Sequence, residues 1–188
     1  MPTVVKRRPS EGWTCYEDWD FGGFKERLGL FMGSVDKTAL TTHVGMLTEK
    51  KAVMSDAFSA GQYWCCFEIV LDDESLVIAR VRLPRHPEAN ELVDESSEQY
   101  AIECEVATMK FVQDHAKAIP APKLYAYEPR GSEHVMQVGA CYMLIEGSYG
   151  NTLQDVAFDL CGLPVRLVQP SRLVEEQVTY CFRITPET

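Results

Sequence analysis

The sequence predicts an α+β protein in which an antiparallel sheet carries one long packed helix, with a partly helical extension before it. Residues 63–71 and 76–83 are rich in aromatic and β-branched side chains, and the polar turn 72–75 separates them. This arrangement predicts a β-hairpin. An amphipathic stretch from about 97 to 115 predicts the helix, and a further apolar run over 140–146 predicts another strand.

The composition limits the class of protein. A chain of 188 residues with 46% apolar content can bury one core and a smaller appendage. Its net charge of −10 argues against nucleic acid as a partner, because phosphate contacts need clustered Lys and Arg. The sequence shows neither a signal-peptide core nor an apolar run of the roughly 18 to 20 residues that cross a membrane. We therefore expect a cytoplasmic protein with no membrane partner.

Cysteine and histidine spacing predicts neither a metal site nor a nucleophile. The seven cysteines are an odd number without a C-x-x-C pair, so we expect reduced, mostly buried thiols. The four histidines are far apart in sequence, and each is expected to be a structural or surface residue. These residues are Cys15, Cys65, Cys66, Cys104, Cys141, Cys161, Cys181, His43, His86, His115 and His134.

Three segments are expected along the chain. Residues 1–57 are an accessory, partly helical segment, in which Asp36 is placed to cap a helix. The apolar face of that helix is formed by Leu40, Val44 and Leu47. Residues 58–150 form the main body, with a loop over 84–94 and an extended segment from 119. Residues 151–188 are a linker and tail, with a helix expected over 153–160 and a strand over 178–184.

The predicted long helix carries a carboxylate on its apolar side. A capping box from Ser96 to Gln99 predicts that the helix begins near Ser97 and runs to about His115. Its apolar arc is formed by Ile102, Val106 and Met109 and is extended by Ala101 and Val112. Glu105 projects from inside this arc. Two interpretations are open: either Glu105 meets a cation, or it reaches water at the edge of the arc.

An arginine on the second hairpin strand is the natural partner for Glu105. Strand alternation puts Arg80 on one face with Leu76, Ile78 and Arg82. A cation in such a place needs an anion, so we predict an ion pair between Arg80 and Glu105. The pair can bind a nucleotide phosphate or can simply hold the helix on the sheet.

Six short motifs occur in one order between residues 61 and 156. They are Gly61-Gln62-Tyr63, Ile78-Ala79-Arg80, Cys104-Glu105-Val106-Ala107-Thr108-Met109, Ile119-Pro120-Ala121-Pro122-Lys123, Leu144-Ile145-Glu146 and Gly150-Asn151-Thr152-Leu153. This order resembles the fungal branch of the aminoglycoside phosphotransferase family, which is kinase-like. The resemblance implies a kinase-like N-lobe over residues 58–150, with the long helix in the position of the kinase αC helix.

The resemblance also implies a nucleotide site. Gly61 and Gln62 would cover the phosphates, Arg80 would contact them, and Glu105 would orient Arg80. The adenine edge would be lined by residues 143–146, and the implied site includes Ile78, Met143, Ile145 and Glu146. Trp64 departs from the family, which often has a small Asn there, so the indole can fill space that phosphates would use. Cys104 replaces a Ser.

The sequence contains no H-x-D-x-x-x-x-N catalytic loop and no later magnesium-binding Asp. We therefore expect a truncated, non-catalytic binding, regulatory or dimerising module, without catalytic or metal-binding residues and without a cofactor. The alternative is the N-terminal part of an ATP-dependent small-molecule phosphotransferase, which would use ATP and Mg²⁺ once a second lobe is supplied. An isolated lobe would expose the apolar underside of its sheet, so we expect residues 159–188, a second copy or another partner to cover it.

Overall fold

The fold is built on a five-stranded antiparallel sheet with the strand order β1-β2-β3-β5-β4. The computed structural model describes residues 7–12, 24–61, 63–85 and 94–150. The strands are β1 (Ala52–Ala60), β2 (Trp64–Leu71), β3 (Leu76–Arg82), β4 (Leu124–Glu128) and β5 (Tyr142–Gly147). The helices are α1 (Pro9–Gly12), α2 (Phe24–Ser34), α3 (Lys37–Thr48), α4 (Glu95–His115) and α5 (Glu133–Val138). The α+β class is therefore confirmed.

The predicted hairpin is formed by β2 and β3. Their register pairs Phe67 with Ala79 and Cys66 with Arg80, and the strand bounds agree with the prediction to within one residue. The connecting turn is closed by Asp73, whose carboxylate accepts hydrogen bonds from the Ser75 backbone N–H and hydroxyl. The strand predicted over 140–146 is β5, which lies between β3 and β4.

Strand β1 was not predicted from the sequence. It pairs with β2 as the edge of the same sheet, and the boundary expected after residue 57 falls inside it. Its register shifts twice, between Met54 and Ala57 and again between Ala57 and Ser59. Each such irregularity breaks the period-two alternation that marks a strand in sequence, which explains why the pattern was missed.

One face of the sheet packs against α2, α3 and α5. The core there combines strand side chains such as Phe67, Ala79 and Leu144 with helical side chains such as Leu40 and Val44. Asp36 caps α3 as predicted, because its carboxylate accepts a hydrogen bond from the Ala39 N–H at 2.9 Å. The expectation for Leu47 was wrong. Leu47 lies in the last turn of α3, where the chain turns away through Glu49 in a left-handed conformation, and it is exposed.

The other face carries α4 over the β4–β5 edge. Ile102 and Val106 are buried there with Leu124 and Met143, and Met109 packs beside them. The cap was predicted wrongly: α4 begins at Glu95, and Asp94 is its N-cap, because the Asp94 carboxylate accepts a hydrogen bond from the Ser97 N–H at 2.8 Å. Ala101, expected on the apolar side, is exposed because it lies at the far edge of the arc.

The chain forms two compact units, Thr14–Gly147 and the combination of Met1–Trp13 with Ser148–Thr188. In the smaller unit, the described residues form α1 and an antiparallel bridge between Arg7 and Gly150. The predictions for 153–160, 159–188 and 178–184 lie outside the described residues, as does most of the predicted 84–94 loop. None of the described helices has the length and apolar character to cross a membrane.

The described cysteines differ in environment. Cys65 is buried and Cys66 and Cys141 are partly buried, whereas Cys104 is exposed on α4. Burial raises the pKa of the Cys65 thiol, with a smaller contribution from Cys66. Burial also raises the pKa of Cys66 to about 11, against a smaller opposing effect of Arg80. Burial is therefore complete for Cys65 and partial for Cys66 and Cys141, whereas Cys104 points away from the sheet.

Replacing Gly147 with Ala is expected to destabilise the sheet. A Cβ at this position would lie 2.7 Å from the Leu76 Cβ and 3.2 Å from the Ile78 side chain across the β3–β5 ladder. Because neighbouring strands cannot separate without losing hydrogen bonds, we expect a loss of about 1–3 kcal/mol in the free energy of unfolding. Urea unfolding measures this loss.

In the control Gly29→Ala, the new methyl group has open space within α2, so a gain of up to about 1 kcal/mol in the free energy of unfolding is expected. Equal stability of the two variants would contradict the prediction.

Candidate functional site

The predicted contact between Arg80 and Glu105 is confirmed. Arg80 Nη1 donates to Glu105 Oε1 at 2.5 Å, which joins β3 to the middle of α4. Arg80 reaches this face because its neighbours Ala79 and Val81 point into the opposite core. Glu105 stands one residue before the buried Val106, so the same rotation of the helix that buries Val106 aims the carboxylate at the sheet.

The Arg80 guanidinium has two further neighbours. Its central carbon lies 4.8 Å from the centre of the Trp64 ring, a cation–π distance, and Nη1 lies 3.6 Å from the Met143 sulfur. Trp64 begins β2 and packs with the cluster under α4. A carboxylate, an indole and a thioether therefore surround the charge of Arg80. The indole occupies the side of Arg80 where the sequence resemblance expected a small residue.

A second ion pair that was not predicted lies beside the first. Arg82 Nη2 donates to Glu98 Oε2 at 2.9 Å, and Arg85 approaches the other Glu98 oxygen at 3.7 Å. Arg80 and Arg82 are two residues apart on β3 and so share a face, while Glu98 and Glu105 are seven apart on α4 and share a side. The spacing of two between the arginines and the spacing of seven between the glutamates are both visible in the sequence and could have predicted the second pair. The two pairs together form a clamp between β3 and α4.

The clamp and the apolar cluster hold α4 by different forces. Ile102 and Val106 remove apolar surface from water and supply the larger, non-directional part of the binding. The ion pairs are partly exposed, so each contributes little to stability but fixes the rotation and the register of the helix. Arg82 also stacks on Tyr63 at 4.7 Å from the ring centre. The arginines are thus held on the sheet even before α4 meets them.

The predicted adenine edge lies inside the sheet. Met143 pairs with Arg80, and Ile145 pairs with Ile78, in the ladder between β3 and β5. On its other side β5 pairs with β4, with Ile145 opposite Leu124. A central strand uses its backbone N–H and C=O groups in both ladders. A base that bound to the backbone of residues 143–145 would have to compete with these hydrogen bonds.

The remaining predicted site residues lie apart from this group. Gly61 closes the turn between β1 and β2, where its N–H donates to the Trp64 carbonyl at 2.9 Å, and Gln62 lies outside the described residues. Glu146 is exposed, and its carboxylate accepts a hydrogen bond from the Lys123 N–H at 3.0 Å. The structure therefore brings Arg80, Glu105 and Met143 into contact.

Two surface cavities lie on the α2 side of the sheet. One of about 390 Å³ is lined by residues of α2 with Leu83 and Pro84, and one of about 610 Å³ is lined by Asp36, Lys37, Asp56 and Phe67 among others. Arg80 and Glu105 line neither of these two cavities. The cavities and the ion-pair clamp are thus on opposite sides of the sheet.

A second group of chemically active side chains was missed by sequence reasoning. His43 on α3, Glu128 at the end of β4 and His134 on α5 place their ligand-type atoms within 4.8 Å of one another. The His43 and His134 rings stack at 3.8 Å between centres, and His43 Nδ1 lies 2.6 Å from the Tyr142 hydroxyl. Glu128, His134 and Tyr142 come from consecutive elements, whereas His43 comes from α3, far earlier in the chain. No local spacing could have joined His43 to the other three.

Burial controls the ionisation of this second group. It lowers the pKa of His43 below its usual value, an effect that the nearby His134 reinforces and Glu128 opposes. Burial also raises the pKa of the Tyr142 hydroxyl, to which the Glu128 charge adds. Near neutral pH, His43 is therefore a neutral imidazole and Tyr142 a neutral phenol. His43 thus makes a buried side-chain contact with Tyr142.

No family model, curated protein or solved structure matches this chain.

The two ion pairs of the clamp are expected to differ in strength according to their exposure. The Arg82 and Glu98 side chains are 16% and 21% exposed, whereas those of Arg80 and Glu105 are 23% and 37% exposed. Double-mutant cycles using Arg→Met and Glu→Gln should give a coupling free energy of about 1 kcal/mol for the first pair and about 0.5 kcal/mol for the second.

The exposed pair between Glu95 of α4 and Arg130 in the turn after β4 is the matched control for these cycles. Its side chains are 71% and 66% exposed, so its coupling should be below about 0.3 kcal/mol. Urea unfolding of each single and double variant gives the three values. If the coupling free energy of the control pair were as large as that of Arg82 and Glu98, burial would not determine the relative strength of the three ion pairs.

Proposed function

We propose that this chain is a non-catalytic, self-associating module of the aminoglycoside-phosphotransferase-like type. In this proposal, the inner side of α4 is fixed to the sheet by the ion-pair clamp, and its outer side binds a second copy of the chain. The observation that carries the proposal is an apolar stripe along the solvent side of α4. The contacts that Arg80 already makes with Glu105 and Trp64 support the proposal that the chain is non-catalytic.

Arg80 has little capacity left for a phosphate. Its charge already meets the Glu105 carboxylate at 2.5 Å and the Trp64 ring at 4.8 Å. A phosphate would have to displace the indole or compete with the carboxylate, and both changes would weaken the attachment of α4. We therefore assign Arg80 a structural role.

The outer side of α4 carries two large aromatic side chains that face solvent. Tyr100 and Phe111 are 68% and 61% exposed, and Cys104 and Ala107 between them are also exposed. The spacing of four, three and four residues places all of them within an arc of about 60° on the helix. Ile102 and Val106 lie on the opposite side, against the sheet. This 4-3-4 spacing is the one by which a helix packs along another helix.

The charges beside the stripe favour a second copy as the partner. Glu103 and Lys110 lie along the same edge of the stripe, on either side of its centre. When two copies of α4 pack antiparallel about a two-fold axis, the same edge of the stripe in each copy lies side by side, and the two chains run in opposite directions. Glu103 of one copy then lies near Lys110 of the other, and the symmetry makes this contact twice. An antiparallel pair therefore combines apolar contact with charge complementarity.

A second candidate function is the N-terminal part of an ATP-dependent small-molecule phosphotransferase. The specific observation in its favour is the ion pair between Arg80 and Glu105, which the family resemblance led us to expect. In that function, the pair would prepare Arg80 to contact a phosphate of ATP once a second lobe and Mg²⁺ are present. The two candidates differ in what they predict for nucleotide binding by this chain alone.

Calorimetric titration of Mg-ATP into the chain is expected to give no saturable binding. The physical reason is that Arg80 is held by Glu105 and covered by Trp64. The control variant Arg80→Met removes the proposed phosphate contact. Binding in the micromolar range that Arg80→Met abolishes would reject the non-catalytic proposal in favour of the phosphotransferase fragment. Weak heats that are equal in both proteins would come from elsewhere and would leave Arg80 in its structural role.

Self-association through α4 is expected to depend on Phe111 and on the flanking charges. Sedimentation equilibrium should show a reversible dimer for the native chain. Phe111→Glu should abolish it, because a carboxylate in the stripe cannot be buried without a partner. Lys110→Glu should weaken the dimer, and Glu103→Lys combined with Lys110→Glu should restore it, since the reversed charges are again complementary.

The variant Met136→Glu serves as the control, because Met136 is also a large exposed side chain but lies on α5. It should leave the dimer intact. A monomer at all accessible concentrations of the native chain would reject the dimer. A dimer that survives Phe111→Glu, or a charge swap without restoration, would show that the contact lies on another surface.

A further inference from the structure

Four elements of the main unit bring His43, Glu128, His134 and Tyr142 together at one end of the β4–β5 ladder. Glu128 and Tyr142 are register partners there, so the strand pairing itself sets the distance between the carboxylate and the phenol. His43 reaches the group from α3, and His134 from the first turn of α5. His43 and Tyr142 are buried, and Glu128 and His134 are partly buried. The group is therefore built into the fold and is not a surface cluster.

The Glu128 carboxylate and His43 face each other across a gap. His43 Nε2 lies 3.9 Å from Glu128 Oε1, which is too long for a hydrogen bond. Among the described residues, no donor lies within hydrogen-bond distance of that carboxylate. The Glu128 side chain is 16% exposed, so the carboxylate keeps access to solvent at the gap. Its lone pairs are therefore available to a cation that enters the gap.

Tyr142 prepares His43 to offer a lone pair toward Glu128. When His43 Nδ1–H donates to the Tyr142 hydroxyl at 2.6 Å, Nε2 is unprotonated and directed toward the gap. A metal-bound histidine commonly donates its second ring N–H to an oxygen in the same way.

We propose that His43, Glu128 and His134 bind one divalent transition-metal ion of the zinc class. Two imidazoles and one carboxylate are a ligand set that suits such ions, whereas Mg²⁺ and Ca²⁺ prefer oxygen ligands alone. Two ligand atoms at about 2.0–2.2 Å from a tetrahedral zinc ion are about 3.4 Å apart. The distance of 3.9 Å between His43 Nε2 and Glu128 Oε1 thus needs to close by only about 0.5 Å.

Metal binding requires His134 to turn. Its ring is stacked on His43 with an angle of 8° between the planes, and parallel rings cannot direct two lone pairs at one point. His134 is partly exposed and lies at the start of a six-residue helix, so rotation about its side-chain bonds disturbs little packing. The stacking on His43 thus keeps His134 beside the gap. When a metal ion binds, His134 would give up this stacking and coordinate the ion.

The test uses the full chain without a histidine tag, freed of metal by a chelator and kept reduced. Calorimetry with Zn²⁺ should show one ion bound per chain, and Co²⁺ should give the visible d–d bands of a tetrahedral site without a thiolate charge-transfer band. Glu128→Gln and His134→Asn should each weaken Zn²⁺ binding at least about tenfold. His115→Gln should not change it, because His115 is an exposed histidine on α4.

His134→Asn is the decisive variant, because His134 is partly exposed and its replacement should leave the fold intact. A circular dichroism spectrum equal to that of the native chain verifies this. No saturable Zn²⁺ binding, unchanged affinity in both variants, or a Co²⁺ spectrum dominated by thiolate ligands would each overturn the proposal.

Discussion

The architecture depends on one electrostatic constraint: a central strand that is covered on both faces carries arginines on one of them. On β3, Val77, Ala79 and Val81 enter the core beneath α2, α3 and α5, so Arg80 and Arg82 must point to the other side. An arginine on a partly covered face needs compensation for its charge, and a carboxylate supplies the most direct form of it. Helix α4 supplies two such carboxylates, Glu98 and Glu105, and its position on the sheet follows from them.

This constraint determines how α4 divides its surface. The side that carries Glu98, Ile102 and Glu105 is committed to the sheet by complementary charges and by apolar contact. The opposite side is left with Tyr100 and Phe111 in water. A helix that buries one apolar side and exposes another is suited to connect two bodies. The exposed apolar side of α4 would be used in the proposed contact with a second copy, whereas an ATP site would not need it.

The sequence predicted those features that depend on local periodicity. The alternation on β3 located Arg80, and the helical period on α4 located Glu105, so their contact could be inferred. Strand β1 was missed because its irregular pairing breaks the alternation, and α5 was missed because six residues are too few to show a helical period. His43, Glu128 and His134 could not be grouped, because only the sheet topology and the packing of α3 and α5 bring them together.

The difference in burial among the cysteines has a consequence for chemical reactivity. A thiol reacts as its thiolate, and burial suppresses the thiolate of Cys65 and Cys66 within the sheet. Cys104 is exposed in the middle of the outer side of α4, between Tyr100 and Ala107. An alkylating reagent or a thiol-directed fluorophore would therefore distinguish Cys104 from the thiols of the sheet. A label on Cys104 would therefore report on contacts made by the solvent-exposed side of α4.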